Sequence, residues 1–248
     1  MPPSKSTATS RDGTTLAVYN YGNHGRPVLV CVHGYPDNAS LWGPVAELLA
    51  DGFQVVAYDV RGAGDSDHPA STAAYALDRL QEDFQAVIDQ VSPDRPVHVL
   101  AHDWGSIQAW HFVTAPDLQP HIASFTSHGS RSSAGAGAGR SARSIASRSN
   151  SPTTTALGDY LNGMKLYRAN VVPRLLRPAQ RRTDVPVLAV SPDADPFVTT
   201  PLQTDIARWA PNLTVKVIRG GHWMPWNDPG LVAQLVLDHT VQVARWGT

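Results

Sequence analysis

Apolar and polar positions along this 248-residue chain alternate between short β-branched runs and longer stretches with helical spacing. The run "TLAVYNYG" predicts an early strand, and "PVLVCVHG" (27–34) a stronger one. "LWGPVAELLADG" (41–52) is an amphipathic helix closing at Gly52, and "FQVVAYDVRG" (53–62) is a strand with its turn. Residues 77–91 carry Leu80, Phe84, Val87, Ile88 and Val91 on one helical face. Further strands are predicted at 97–101, 122–127, 185–192 and 214–220, and a closing helix at 229–246. Strands alternating with helices predict the α/β class, a mostly parallel, doubly wound sheet covered on both faces.

One stretch breaks this rhythm. "GSRSSAGAGAGRSARSIASRSNS" (129–151) is almost entirely Gly, Ala, Ser and Arg, with Ile145 as its only large aliphatic residue. Such a composition buries too little apolar surface to offset its ordering entropy, which predicts a poorly packed loop. Its arginines have no aromatic residues among them on which bases could stack, so a nucleic-acid tail is not expected.

Composition narrows the classes further. Hydrophobic residues make up 42% and charged residues 17%, the balance of a globular protein, and a net charge of −1 offers no general attraction to nucleic acid or an anionic membrane. Cys31 is the only cysteine, so an internal disulfide and a cysteine metal cluster are both excluded; within "VLVCVHG" it reads as a buried small hydrophobe. "MPPSKSTATSRDG" lacks the apolar core of a signal peptide and no run is long enough to span a bilayer, so a cytoplasmic location is expected.

The chemistry concentrates in "PVHVLAHDWGSIQAW" (96–110), where an apolar strand stops at a turn and a helix follows at once. A side chain held at so sharp a strand-to-helix bend needs small neighbours, and Ala101 and Gly105 flank Asp103 at two residues on either side. An ionised carboxylate is a competent nucleophile toward an electrophilic saturated carbon, and the product is an ester on the enzyme itself. Hydrolysing that ester calls for a histidine-activated water and an oxyanion hole. His222 in "RGGHWMPW" and Asp195 in "SPDADPFV" follow the last strands, and "VCVHGYPDN" places the Tyr35 backbone N–H after a strand; Tyr35 and Trp104 are the candidate oxyanion donors. The order nucleophile, acid, histidine (103, 195, 222) is the α/β-hydrolase order. His33, Pro36 and Trp223 are candidates for lining the substrate. His111, His121 and His239 lack metal-ligand spacing and are expected to be structural or solvated, so no metal is expected.

Taken in order, "HGYPD", "YDVRGAGDSD", "AHDWGS", "LYRAN", "DVPVLAVSPDADPFV" and "GGHWMPW" make the chain resemble the epoxide hydrolase branch of the α/β-hydrolases over residues 11–128 and 160–245. It looks closest to the type sometimes fused to a C-terminal short-chain dehydrogenase, a domain that does not follow here before Thr248. The resemblance implies a core split into residues 1–128 and 178–248 by a lid at 129–177. It implies cofactor-independent hydrolysis of a small apolar epoxide by water: Asp103 attacks, Tyr167 protonates the opened oxygen, and His222, oriented by Asp195, activates the water. Asp193 competes with Asp195, and the family spacing, which places the acid directly before Pro-Phe, favours Asp195. The lid departs from the family: its first half is the Gly/Ala/Ser/Arg stretch, and of the usual two lid tyrosines only Tyr167 has a counterpart, while Tyr160 matches no motif. Two other readings stay open, a haloalkane or haloacid dehalogenase with the same three residues and a lid-damaged relative that only binds ligand.

Overall fold

The computed structural model describes residues 2–129, 157–176, 181–201 and 206–246. Eight strands form one sheet in the order β1-β2-β4-β3-β5-β6-β7-β8. They are β1 (Ser4–Thr9), β2 (Thr15–Tyr21), β3 (Val28–Val32), β4 (Gln54–Tyr58), β5 (Val97–His102), β6 (Ile122–His128), β7 (Val187–Pro192) and β8 (Leu213–Ile218). The first two strands pair antiparallel and the other six run parallel.

Each predicted strand is present, and β1 is the one that pattern alone did not announce. Its residues, "SKSTAT", are nearly all polar because it lies at the sheet edge with most side chains exposed. The central strands read as unbroken apolar runs because both faces are covered. Val28, Val30 and Val32 of β3 face α2 (Leu77–Val91) and α3 (Trp104–Val113). Leu29 and Cys31 face the other way, against α1 (Gly43–Leu49) and α6 (Pro229–Trp246). The predicted helix at 41–52 is shorter than its apolar pattern: a 3-10 turn at Ala39–Trp42 precedes it, and Pro44 fits the first turn, where no backbone N–H is needed. A short helix, α5 (Met224–Asn227), stands between β8 and α6.

The segment between β6 and β7, where a lid is expected, contributes α4 (Leu157–Leu176). Its inner face rests on the core through Leu166 and Asn170, while Leu157, Leu161, Val172 and Leu176 point outward. The amide of Asn170 is its central anchor: Oδ1 accepts from Leu77 N–H at 2.9 Å, and Nδ2 donates to the Tyr75 carbonyl at 2.9 Å. The low-complexity stretch lies outside the described residues, apart from Gly129. None of the described helices is long and apolar enough to cross a membrane.

Arg61, in the turn after β4, is buried and structural. Its Nε donates to Asp83 Oδ2 at 2.6 Å and its Nη1 to Asp12 Oδ2 at 2.8 Å, tying the turn to α2 and to the N-terminal hairpin. Asp83 is itself buried, so removing the guanidinium would strand a carboxylate in the core. Arg61→Met should therefore cost about 3–5 kcal/mol in urea unfolding, and adding Asp83→Leu should recover most of that loss.

Candidate active site

The turn between β5 and α3 puts Asp103 at φ 52° and ψ −125°, the only non-glycine residue with positive φ among those described. An L side chain reaches this region only when its surroundings hold it there. Asp103 N–H donates to the His128 carbonyl at 3.2 Å, and the Ser106 and Ile107 N–H groups return to the Asp103 carbonyl. Ser106 Oγ donates to the Ala101 carbonyl at 2.6 Å, so this serine hydroxyl is committed to the turn. Gly105 fits because a Cβ there would overlap the Val32 carbonyl. A Cβ on Gly34 would lie 2.5 Å from Asp103 Oδ1 and 2.7 Å from the Trp104 nitrogen. Gly34 is thus as necessary as the two small residues the sequence pointed to.

The carboxylate has two distinct sides. Tyr35 N–H donates to Oδ1 at 2.9 Å, and the Trp104 backbone N–H also bonds the carboxylate. Oδ2 lies 3.5 Å from His222 Nε2. Burial alone would raise the Asp103 pKa, but His222 and these donors outweigh it and hold the group below its ordinary value.

His222 hangs between two acids. Its Nδ1 lies 2.9 Å from Asp195 Oδ2, while Asp195 Oδ1 accepts the N–H groups of Phe197 and Val198 at 2.8 and 3.1 Å. Asp193 is turned away and accepts from Gly220 N–H at 3.1 Å, so geometry brings Asp195 and not its neighbour to the imidazole. Burial works against the imidazolium, but Asp103 and then Asp195 overcome it and push the His222 pKa up to about 10.

Tyr167 of α4 sits over this pair, its ring 4.7 Å from that of Trp104 and 5.8 Å from that of Tyr35. Burial, followed by the charge of Asp103, pushes its phenol well above the usual value, so it stays protonated at neutral pH. Tyr160 also abuts Tyr35, edge-on at 6.0 Å. The Tyr35 ring lies directly on Gly163, where a Cβ would overlap it, and the helix approaches the core between its two tyrosines.

The three candidate lining residues are less alike than the sequence suggested. His33 is buried and both its nitrogens are engaged: Val60 N–H donates to Nε2 at 2.9 Å, and Nδ1 donates to the Gly34 carbonyl at 2.8 Å. Pro36 follows a cis peptide bond in the same loop. Trp223 packs its ring on His222 at 4.9 Å and donates its indole N–H to Asp37 at 3.1 Å. Two neighbours had escaped sequence reasoning. Phe197 packs on His222 at 4.8 Å and is placed by the Asp195 turn. His102, fully buried, donates Nε2–H to the His222 carbonyl at 3.0 Å and packs against its ring, tilted, at 4.6 Å. Burial first, then repulsion from His222, keeps His102 neutral with a pKa of about 4. Its position directly before Asp103 was the available signal. Among the described residues no cluster of side chains is arranged to hold a metal.

A family model described as the α/β hydrolase fold matches residues 27–141. A solved structure, from work on novel epoxide hydrolases belonging to the α/β-hydrolase superfamily in metagenomes from hot environments, has a TM-score of 0.80. That match covers 97% of this chain and 99% of the other at 20% identity. The chain has the α/β-hydrolase fold. Among curated sequences it is 32% identical over 284 residues to "Probable oxidoreductase EphD" of Mycobacterium tuberculosis (strain ATCC 25618 / H37Rv), covering 92% of the chain and 48% of that protein. It is 39% identical over 101 residues to "Epoxide hydrolase A" of the same strain, covering 40% of the chain and 31% of that protein. The chain spans about half the length of the EphD protein it matches.

The raised His222 pKa has a definite sign. It favours the folded state fully below the ordinary value of 6.5, and the contribution disappears as pH rises through about 10. The difference in thermal midpoint between wild type and His222→Gln should accordingly be largest in mild acid and shrink through that window. Asp103→Asn, which removes one of the two supporting carboxylates, should lower the His222 pKa measured by NMR titration of the ring.

Proposed function

We propose that this α/β-hydrolase opens epoxides to vicinal diols through a covalent ester on Asp103. The observation that carries this reading is the two-sided carboxylate: Oδ1 bonded by Tyr35 N–H, and Oδ2 toward His222 under the lid phenol of Tyr167. Oδ2 attacks an epoxide carbon, the C–O bond breaks, and Tyr167 gives its proton to the departing oxygen. A neutral phenol suits that task, since the developing alkoxide is more basic than a phenolate.

Ester formation removes the negative charge on Asp103, the larger of the two supports for the His222 imidazolium. The imidazole pKa then falls, and its proton becomes available to restore Tyr167. Neutral His222, held by Asp195, takes a proton from water, and the hydroxide attacks the ester carbonyl. Oδ1 carries the developing charge between the Tyr35 and Trp104 N–H groups. Collapse releases the diol and returns Asp103 and His222 to the paired state. The same imidazole thus acts after ester formation first as an acid, toward Tyr167, and then as a base, toward water.

The rings of Tyr35, Trp104, Tyr167, Phe197 and Trp223 around the carboxylate favour a small or medium apolar epoxide. His33 and Pro36 shape the oxyanion loop, and Trp223 backs His222. The chemistry needs water and no cofactor. Displacement of a halide uses the same nucleophile, but the Trp223 indole N–H is already committed to Asp37 and the lid phenol favours an oxygen leaving group.

His222→Gln mixed with excess styrene oxide should gain the mass of one substrate on the intact protein, while steady-state diol formation falls by about 10²–10⁴-fold. Adding Asp103→Asn should abolish the adduct. An adduct formed with a bromoalkane but with no epoxide would overturn this reading in favour of dehalogenation.

A further inference from the structure

Two turns along the inner face of α4 from Tyr167, Arg174 reaches His111 of α3, Nη2 to Nδ1 at 2.7 Å. Arg181, in the segment returning to the core, reaches the same nitrogen with Nη1 at 2.9 Å. His111 is 1% exposed, and its Nε2 lies 3.0 Å from Asp78 Oδ1 at the start of α2. The two guanidinium donors fix Nδ1 as the acceptor and put the ring proton on Nε2, facing Asp78. The imidazole is therefore neutral: burial, then the two arginines, push its pKa down to about 3.

This arrangement is electrostatically incomplete. One imidazole lone pair accepts one well-aligned hydrogen bond, yet two half-buried cations converge on it. Burial and the nearby Arg181 charge lower the Arg174 pKa. Neither arginine makes an ion pair with a carboxylate among the described residues. Asp78 meets the opposite nitrogen of the ring, and its side chain is 84% exposed. Each guanidinium spends one N–H on His111 and keeps others in a fork suited to two oxygens.

We propose that Arg174 and Arg181, positioned by the buried His111, form a binding site for a small oxyanion of the phosphate class. Oxygens of one anion accept from both guanidinium groups, turning a repulsive pair into two attractive ones. Arg174 belongs to the lid helix, His111 to the core and Arg181 to the chain between them, so the bound anion fastens this end of the lid to α3. His111 lies about two turns of α3 from Asp103, and the inference does not depend on the epoxide reading: Asp103→Asn protein should bind the anion equally well.

The test is the thermal midpoint of the full chain titrated with inorganic phosphate at constant ionic strength, with matched sodium chloride as the control. A saturable rise beyond the chloride control is expected. Arg181→Gln should weaken the apparent affinity by about tenfold or more. Asp78→Asn, an exposed change that removes the one nearby negative charge, should tighten it, which keeps the test decisive even if the arginine variant folds poorly. Phenyl phosphate distinguishes the sources: an equal response marks a site for the phosphate group of a larger molecule, and a response to inorganic phosphate alone marks a free-ion site. No rise beyond chloride, or a rise unchanged by both Arg181→Gln and Asp78→Asn, would overturn the proposal.

Discussion

The site depends on one strained residue. At φ 52° Asp103 is held where its side chain would not settle by itself, between a strand that ends on its N–H and a helix that begins on its carbonyl. The strain has a geometric return. The same bend that projects the carboxylate also turns the Trp104 N–H back toward it, and Gly34 lets the β3 loop approach closely enough for Tyr35 N–H to reach Oδ1. A relaxed backbone at position 103 would move the carboxylate and its two N–H donors together. Ser106, whose hydroxyl bonds across the turn, and Gly105, whose missing Cβ admits the Val32 carbonyl, are supports for that one conformation.

Around this turn three imidazoles lie close together, and only one of them carries charge. His102 and His128 lie beside His222 with tilted rings, His102 4.6 Å from it and 5.7 Å from His128. Burial keeps both lower rings neutral, so the imidazolium faces two carboxylates above and no competing cation below. A carboxylate pair strong enough to hold a proton on His222 would by itself make a poor base. In the proposed mechanism what changes its character is the chemistry: once Asp103 is an ester, the larger of the two supports is gone. In that mechanism Asp195 remains to hold the ring in place for the water step.

Much of this was legible in the chain. Strands buried on both faces announced themselves as β-branched runs, and the Ala-His-Asp-Trp-Gly turn pointed to a carboxylate on display. Edge strand β1 did not, because a strand with solvent on its outer side needs no apolar pattern. Spacing favoured Asp195 over Asp193, but the physical distinction is which one turns toward His222, and that lies in the Gly220 contact of Asp193, 27 positions away in the chain. Long-range packing also decides the roles of Phe197, His102 and Gly163. Nothing local in a helix with Gly163 between two tyrosines says that the gap is filled by Tyr35 from the oxyanion loop.

That last contact bears on whether a lid with an unusual sequence can still place Tyr167. A helix held at one point could swing and carry its phenol away from the carboxylate. α4 is instead held at three points along one face: Gly163 against Tyr35, Asn170 bridging Tyr75 and Leu77, and Arg174 on His111. Tyr167 lies between the first two. The Asn170 anchor is bidentate and buried, so releasing it would leave polar groups unpaired, a cost that fixes both rotation and register of the helix. The position of the phenol is therefore set by the part of the lid that packs on the core, and the sequence "KLYRAN" keeps Tyr167 and Asn170 on one surface three residues apart, the spacing at which two helical side chains share a face.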